Sequence, residues 1–198
     1  MSRASSFTPW STTWIFGRSG LPGEGGGAIF DDIRKLFVRD LIAFRREIEL
    51  FPDDETVWWT VQGIANSAGT LVLHTCGNIQ HFVGAVLGQT GYVRDREAEF
   101  SRRGVSRAEL VRELSRTIDV VNRTLRSLPT HVAETMYPIP VEGINLRTDV
   151  FLMHLPTHLA FHLGQAGYVR HAVTGDGRSV DALEYPTLVE EQVGGDAA

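Results

Sequence analysis

Apolar residues recur along this chain at helical rather than strand spacing. Between Ile29 and Leu50 the positions Ile29, Ile33, Leu36, Phe37, Leu41, Phe44 and Ile48 fall mostly three or four apart, so they share one stripe of a helix that stops near Pro52. A second helix follows a cap at Asn66 or Ser67, carries Leu71, Ile79, Phe82, Val83 and Val86, and stops at Gly88. The third has the clearest start, a Ser106 to Glu109 capping box, and buries Leu110, Leu114, Ile118, Val121 and Leu125 before Pro129. The fourth runs from about Asp149 to Val173, with Pro156 marking either a kink or the true start. Between Thr130 and Arg147, Tyr137, Pro138, Pro140 and Gly143 predict extended chain or a short hairpin, because two prolines and a glycine do not suit a helix interior. No strand alternates with helix and no segment repeats, so the pattern predicts an all-α protein. Its simplest architecture is a four-helix up-down bundle, with a long crossover from Gly88 to Val105 between the second and third helices.

Composition narrows the setting. The 198 residues are 42% hydrophobic and 22% charged, enough for one core, and the expected domain spans residues 29–175 between a flexible Ser- and Gly-rich leader, 1–28, and a tail, 176–198. The net charge of −5 gives no basic footprint for nucleic acid. Arg94, Arg96 and the arginines from Arg102 to Arg107 lie close to Asp95, Glu97 and Glu99, a mixture that reads as a solvated ion-pair surface. Cys76 is the sole cysteine, which excludes an intrachain disulfide and a cysteine-rich zinc knuckle and fits a reducing cytoplasm. Apolar runs fall well short of the roughly 20 residues that span a bilayer, so no membrane span is expected.

Histidine placement brings in chemistry. His74 and His81 fall on the second helix, and His154, His158, His162 and His171 on the fourth. Residues four apart on a helix differ by about 40° and 6 Å, so His158 and His162 project from one face and can share a metal ion, with His154 one turn earlier. A third ligand must come from a neighbouring helix. His74 is the natural candidate, since an imidazole among Leu71, Leu73 and Ile79 costs free energy unless hydrogen-bonded or ligated. Three neutral imidazoles suit zinc, nickel, iron(II) or copper and leave a position open to water or substrate. Singly, each histidine also fits an ordinary core role. His81 and His154 are expected to be structural or to support the ligands, His131 and His171 to lie on the surface, and Cys76 to be a small buried hydrophobe pointing away from His74. Trp58, Trp59 and Tyr92 are candidate pocket walls.

The run Asn66-Ser-Ala-Gly69, Leu73-His74, Gly77-Asn78, His81-Phe82 and Gly84 to Gly88, followed by Gly91 to Arg96 and Glu99-Phe100, resembles the DinB-like superfamily. The later His154-Leu-Pro-Thr-His158-Leu-Ala-Phe-His162-Leu-Gly164-Gln165 is similar to that family's histidine-rich ending, and the resemblance covers about Ile29 to Gly175. It implies a four-helix bundle with one long crossover and a metal triad at His74, His158 and His162. It further implies a metal-dependent enzyme, with thiol-dependent S-transfer to small electrophiles as the first expectation. The cofactors would be a divalent transition metal and a low-molecular-weight thiol. Metal-dependent hydrolysis by an activated water is the alternative, as is a non-catalytic metal-binding stress protein. The expected partners are the thiol, the electrophile and a second copy in a homodimer.

Overall fold

The computed structural model describes residues 25–183, 185 and 188, so the expected leader lies almost wholly outside the described residues, as does the end of the tail. Among the described residues the protein is all-α, with no β-strand. Helix α1 spans Gly25–Glu49 and starts four residues before Ile29. Helix α2 spans Ala68–Ile79, capped by the Ser67 hydroxyl, which accepts from the Thr70 N–H. The crossover is not irregular throughout, because a short α3, Arg96–Ser101, forms behind an Asp95 cap that accepts the Ala98 N–H. Helix α4, Arg107–Ser127, begins with the expected capping box. Helix α5, Thr148–Thr174, ends at Gly175, whose φ of +70° is the left-handed conformation that closes a helix.

Two segments depart from the periodicity. Beyond Ile79 the chain continues as a π-helix over Gln80–Leu87 instead of α-helix up to Gly88. Its wider turns accompany a close approach to α4, where a Cβ on Gly84 would stand 2.8 Å from Val120 Cγ1 and one on Gly88 2.3 Å from Thr124 Oγ1. Hydrophobic spacing does not report such tertiary crowding. Pro156 neither starts α5 nor interrupts it: the helix is continuous from Thr148, with the buried Pro156 ring on its core side. The loss of one backbone hydrogen bond is offset by burial of the surrounding Leu152, Leu155 and Leu159. Between α4 and α5 lie a 3₁₀ turn, Thr130–Glu134, and two isolated antiparallel bridges, Met136 with Arg147 and Val141 with Ile144, the remnant of the expected hairpin.

Helix α1 packs along α4 and α5, and α2 packs on α4 and α5, with α3 laid across α2. The core between them takes Phe37, Leu41, Phe44 and Ile48 from α1, Leu71 and Ile79 from α2, Leu110 and Leu114 from α4, and Leu152 and Leu159 from α5. One charged pair is buried within it: Arg170 Nε donates to Glu47 Oε2 at 2.5 Å. The same guanidinium also donates to the carbonyls of Asp176 and Arg178. These contacts draw the chain past Gly175 back onto the helices, and Val180 is buried there.

Candidate metal centre

Helix α5 turns its core residues inward and leaves a second row, His154, His158, His162 and Gln165, along the flank nearest α2. Helix α2 presents His74 to that flank. One ring nitrogen from each of His74, His158 and His162 lies within 4.8 Å of the others, and Nε2 of His158 is 3.0 Å from Nε2 of His162. The three rings stand nearly perpendicular to one another, with centroids 4.5 to 5.3 Å apart. In a tetrahedral shell with metal–nitrogen bonds of about 2.0–2.1 Å, neighbouring nitrogens stand roughly 3.3 Å apart, so His158 and His162 already stand near that spacing, and a pair at the 4.8 Å limit would close by about 1.5 Å around a single ion.

Two ring orientations are fixed from behind. His74 Nδ1–H donates to Glu99 Oε2 at 3.0 Å, and His162 Nδ1–H donates to Gln165 Oε1 at 2.7 Å. Each bond commits Nδ1 to the proton and leaves the Nε2 lone pair facing the cluster, which is how protein partners prepare imidazole ligands for a cation. Glu99 is itself clamped by Arg94, whose Nε and Nη2 donate at 2.7 and 2.9 Å. Burial by itself would raise the Glu99 pKa, but hydrogen bonds from Arg94 and His74 outweigh it and hold the carboxyl below its ordinary range. Burial, reinforced by the neighbouring His162 and His74, pushes His158 down to about 4, so it is a neutral donor at physiological pH. Burial lowers His162 as well, partly offset by its bond to Gln165.

Glu99 corrects the expectation of a solvated charge cluster: it is buried, at 5% exposure, and faces His74. It reaches that position because residue 77 is glycine, since a Cβ there would lie 2.2 Å from Glu99 Oε1. Sequence reasoning missed Glu99, Arg94 and Gln165 as supports of the histidines. The available signals were the Asp95 cap, which predicts a helical turn carrying Glu99, and the i, i+3 spacing of His162 and Gln165. Asn78, one turn after His74, is buried and its Oδ1 has no hydrogen-bond partner among the described residues. It offers an acceptor on the same helix face as His74.

The remaining candidates take lesser places. His154 is exposed and stacks on His158 with centroids 6.2 Å apart, while the half-buried His81 packs edge-on to Phe82. Burial, together with the Arg94 charge, lowers the His81 pKa. His131 and His171 are exposed, and Cys76 is buried, its thiol pushed up to about 12 by desolvation. The aromatic walls are only partly as expected. Trp58 lies over Gly69 and donates Nε1–H to the Val105 carbonyl, a structural bond, and Trp59 is half exposed. Tyr92 does line a cavity of about 420 Å³, together with Gly77 and Glu99, that none of the three histidines lines.

The donor set therefore fits a divalent cation: three imidazole nitrogens, two of them on rings oriented by Nδ1–H bonds, with no thiolate. His158 and His162 are only half-buried, so one side of the cluster is open. The fold and site define an all-α protein with a three-histidine cluster formed between two helices. The chain belongs to the family described as "Protein of unknown function (DUF1572)", whose profile it matches over residues 28–181. No curated protein and no solved structure matches it. No helix among the described residues is long and apolar enough to cross a membrane.

Proposed function

We propose that this chain is a metal-dependent enzyme of DinB-like type, in which His74, His158 and His162 hold a divalent transition metal (zinc, nickel or iron) and a low-molecular-weight thiol is transferred to a small electrophile. The observation that carries the metal reading is the pair of Nδ1 bonds, His74 to Glu99 and His162 to Gln165, which leave the Nε2 atom of each ring for a cation within a cluster whose ligand atoms lie within 4.8 Å of one another. Four long helical segments packed about one core support the bundle architecture, with α3 inside the long connection. A cation bound there supplies Lewis acidity, which lowers the pKa of a thiol or water in its open position. The chain's own residues lower the proton affinity of His158 and His162 by burial, fix the orientation of His74 and His162, and leave one side accessible. In the transfer, the thiol gives its proton to solvent, its sulfur forms a bond to the electrophilic carbon, and the leaving group departs with the electron pair of the broken bond.

Metal analysis of protein purified without a nickel column tests the site. About one equivalent is expected in the wild type and a strong loss in His158→Ala; equal, negligible metal in both rejects it. Incubation of metal-loaded protein with mycothiol, bacillithiol or glutathione and a model electrophile should then give metal-dependent conjugation. Turnover without thiol points to the hydrolase, and a loaded site inert in both assays to a metal-binding stress protein. The same proposal includes a homodimer. Helix α5 carries no charged side chain between Asp149 and Arg170 and exposes Val150, Met153 and Phe161, so two copies can meet there without the repulsion expected elsewhere on a chain of net charge −5.

A further inference from the structure

A cavity of about 740 Å³ opens between α5 and the loop before α2. None of the three histidines lines it, but it neighbours the cluster along both helices: Leu71 lies one turn before His74, and Gln165 one turn after His162, and both line it. Gln165 belongs to the two sites at once, because its Oε1 accepts from His162 Nδ1–H while its side chain forms part of the cavity wall. With the oxygen so committed, its carboxamide N–H₂ is the group left to donate to an occupant.

The walls carry no charge. Val61, Ile64, Leu71, Tyr168, Val169 and Ala172 line it with the uncharged polar Asn66 and Gln165, and no Asp, Glu, Lys, Arg or His does. Ile64 is 49% and Tyr168 81% exposed, so an occupant would cover apolar surface that is now in water. A carboxylate or ammonium placed there would be desolvated with no opposite charge to receive it, whereas a ring or alkyl group would lose nothing. Gly164 lines the cavity, and a Cβ built on it meets no atom within 4 Å. The space there is room beside an ordinary helix and not a backbone requirement.

We propose that this cavity receives an uncharged, largely apolar portion of the molecule that reacts at the histidine cluster, with Gln165 as the polar contact between the two. The proposal rests on the reading of the cluster as a reacting centre, and it assigns to the substrate an aromatic or aliphatic body held along α5 with its reactive end toward His162. An S-transferase with this cavity would prefer apolar electrophiles to anionic ones of equal size.

The test is a fluorescence titration of the full chain with N-phenyl-1-naphthylamine, an uncharged probe whose binding requires neither metal nor turnover. Saturable binding at one site is expected. Gly164→Leu and Ala172→Trp, which add bulk at two lining positions about two turns apart on α5, should each weaken it by about tenfold or more. Ile144→Ser, an exposed position in the segment between α4 and α5 that does not line the cavity, should leave it unchanged. Diphenylamine should displace the probe at least about tenfold better than N-phenylanthranilic acid, the same body bearing a carboxylate. Absence of saturable binding, indifference to both filling substitutions, or equal competition by the anion overturns the proposal. Should Gly164→Leu fail to fold by circular dichroism, Ala172→Trp, at an exposed helix position, decides. His158→Ala should retain probe binding while losing metal, so failure of the cavity and failure of the metal reading give different results.

Discussion

Glu99 and Gln165 do the same work for two different histidines, but they are secured differently. Gln165 sits on the same helix as His162, whereas Glu99 must cross from α3 to α2 and does so only because Gly77 offers no side chain. Removing such a partner typically costs metal affinity about 10- to 100-fold. Glu99→Gln should therefore weaken metal binding within that range in competition with a chromophoric chelator. Gly77→Ala should do nearly the same with Glu99 still present, because the new methyl displaces the carboxylate. Unaltered affinity in Gly77→Ala would separate Glu99 from the site. His158 sets a pH dependence. Its folded pKa of about 4 lies below its unfolded value of 6.5, so on acidification the unfolded chain binds the proton first. The contribution to the stability of the metal-free protein is complete above about pH 6.5 and is lost as pH falls toward 4. The melting temperature of chelator-treated protein should drop across that window, and His158→Asn should flatten the drop; parallel curves would show that His158 is not the group responsible.

At the scale of elements, the helices were largely legible because each rule needed only neighbours in sequence. The Ser106 to Glu109 box, the stripe from Leu110 to Leu125 and the four-residue step from His158 to His162 are local facts, and the structure places each on a helix. The π-helical turns at Gln80–Leu87 and the role of α3 were not legible, because both depend on what another helix brings against them: Val120 and Thr124 in one case, His74 in the other. Arg170 illustrates the same limit. By composition it is a helix-end arginine, yet it is fully buried and joins α1, through Glu47, to the chain after Gly175. Leaving Glu47 buried without its partner should be costly. Arg170→Ala is expected to lower unfolding free energy by about 3–5 kcal/mol in a urea titration. A loss below about 1 kcal/mol, the value of an exposed pair, would mean that the pair is solvated.

For the whole molecule, the exposed uncharged face of α5 predicts a symmetric dimer. Sedimentation velocity should find the wild type as a dimer at micromolar concentration, and Phe161→Glu, which sets like charges face to face, should give monomer. A monomeric wild type would remove this part of the proposal. What the sequence determined by itself was the set of helices and which of them carry histidine, since hydrophobic period, caps and a four-residue step are all written in local order. From spacing it could offer His158 and His162 as a pair, with His74 a candidate third from its apolar neighbours, and the resemblance joined the three into one triad. Only the tertiary structure decided that the three nitrogens meet, that Glu99 turns inward to orient one of them, and that an uncharged cavity adjoins the cluster. Those outcomes depend on how closely α2, α3 and α5 approach, a distance set by small residues such as Gly77 whose importance appears only once the opposite side chain is in place.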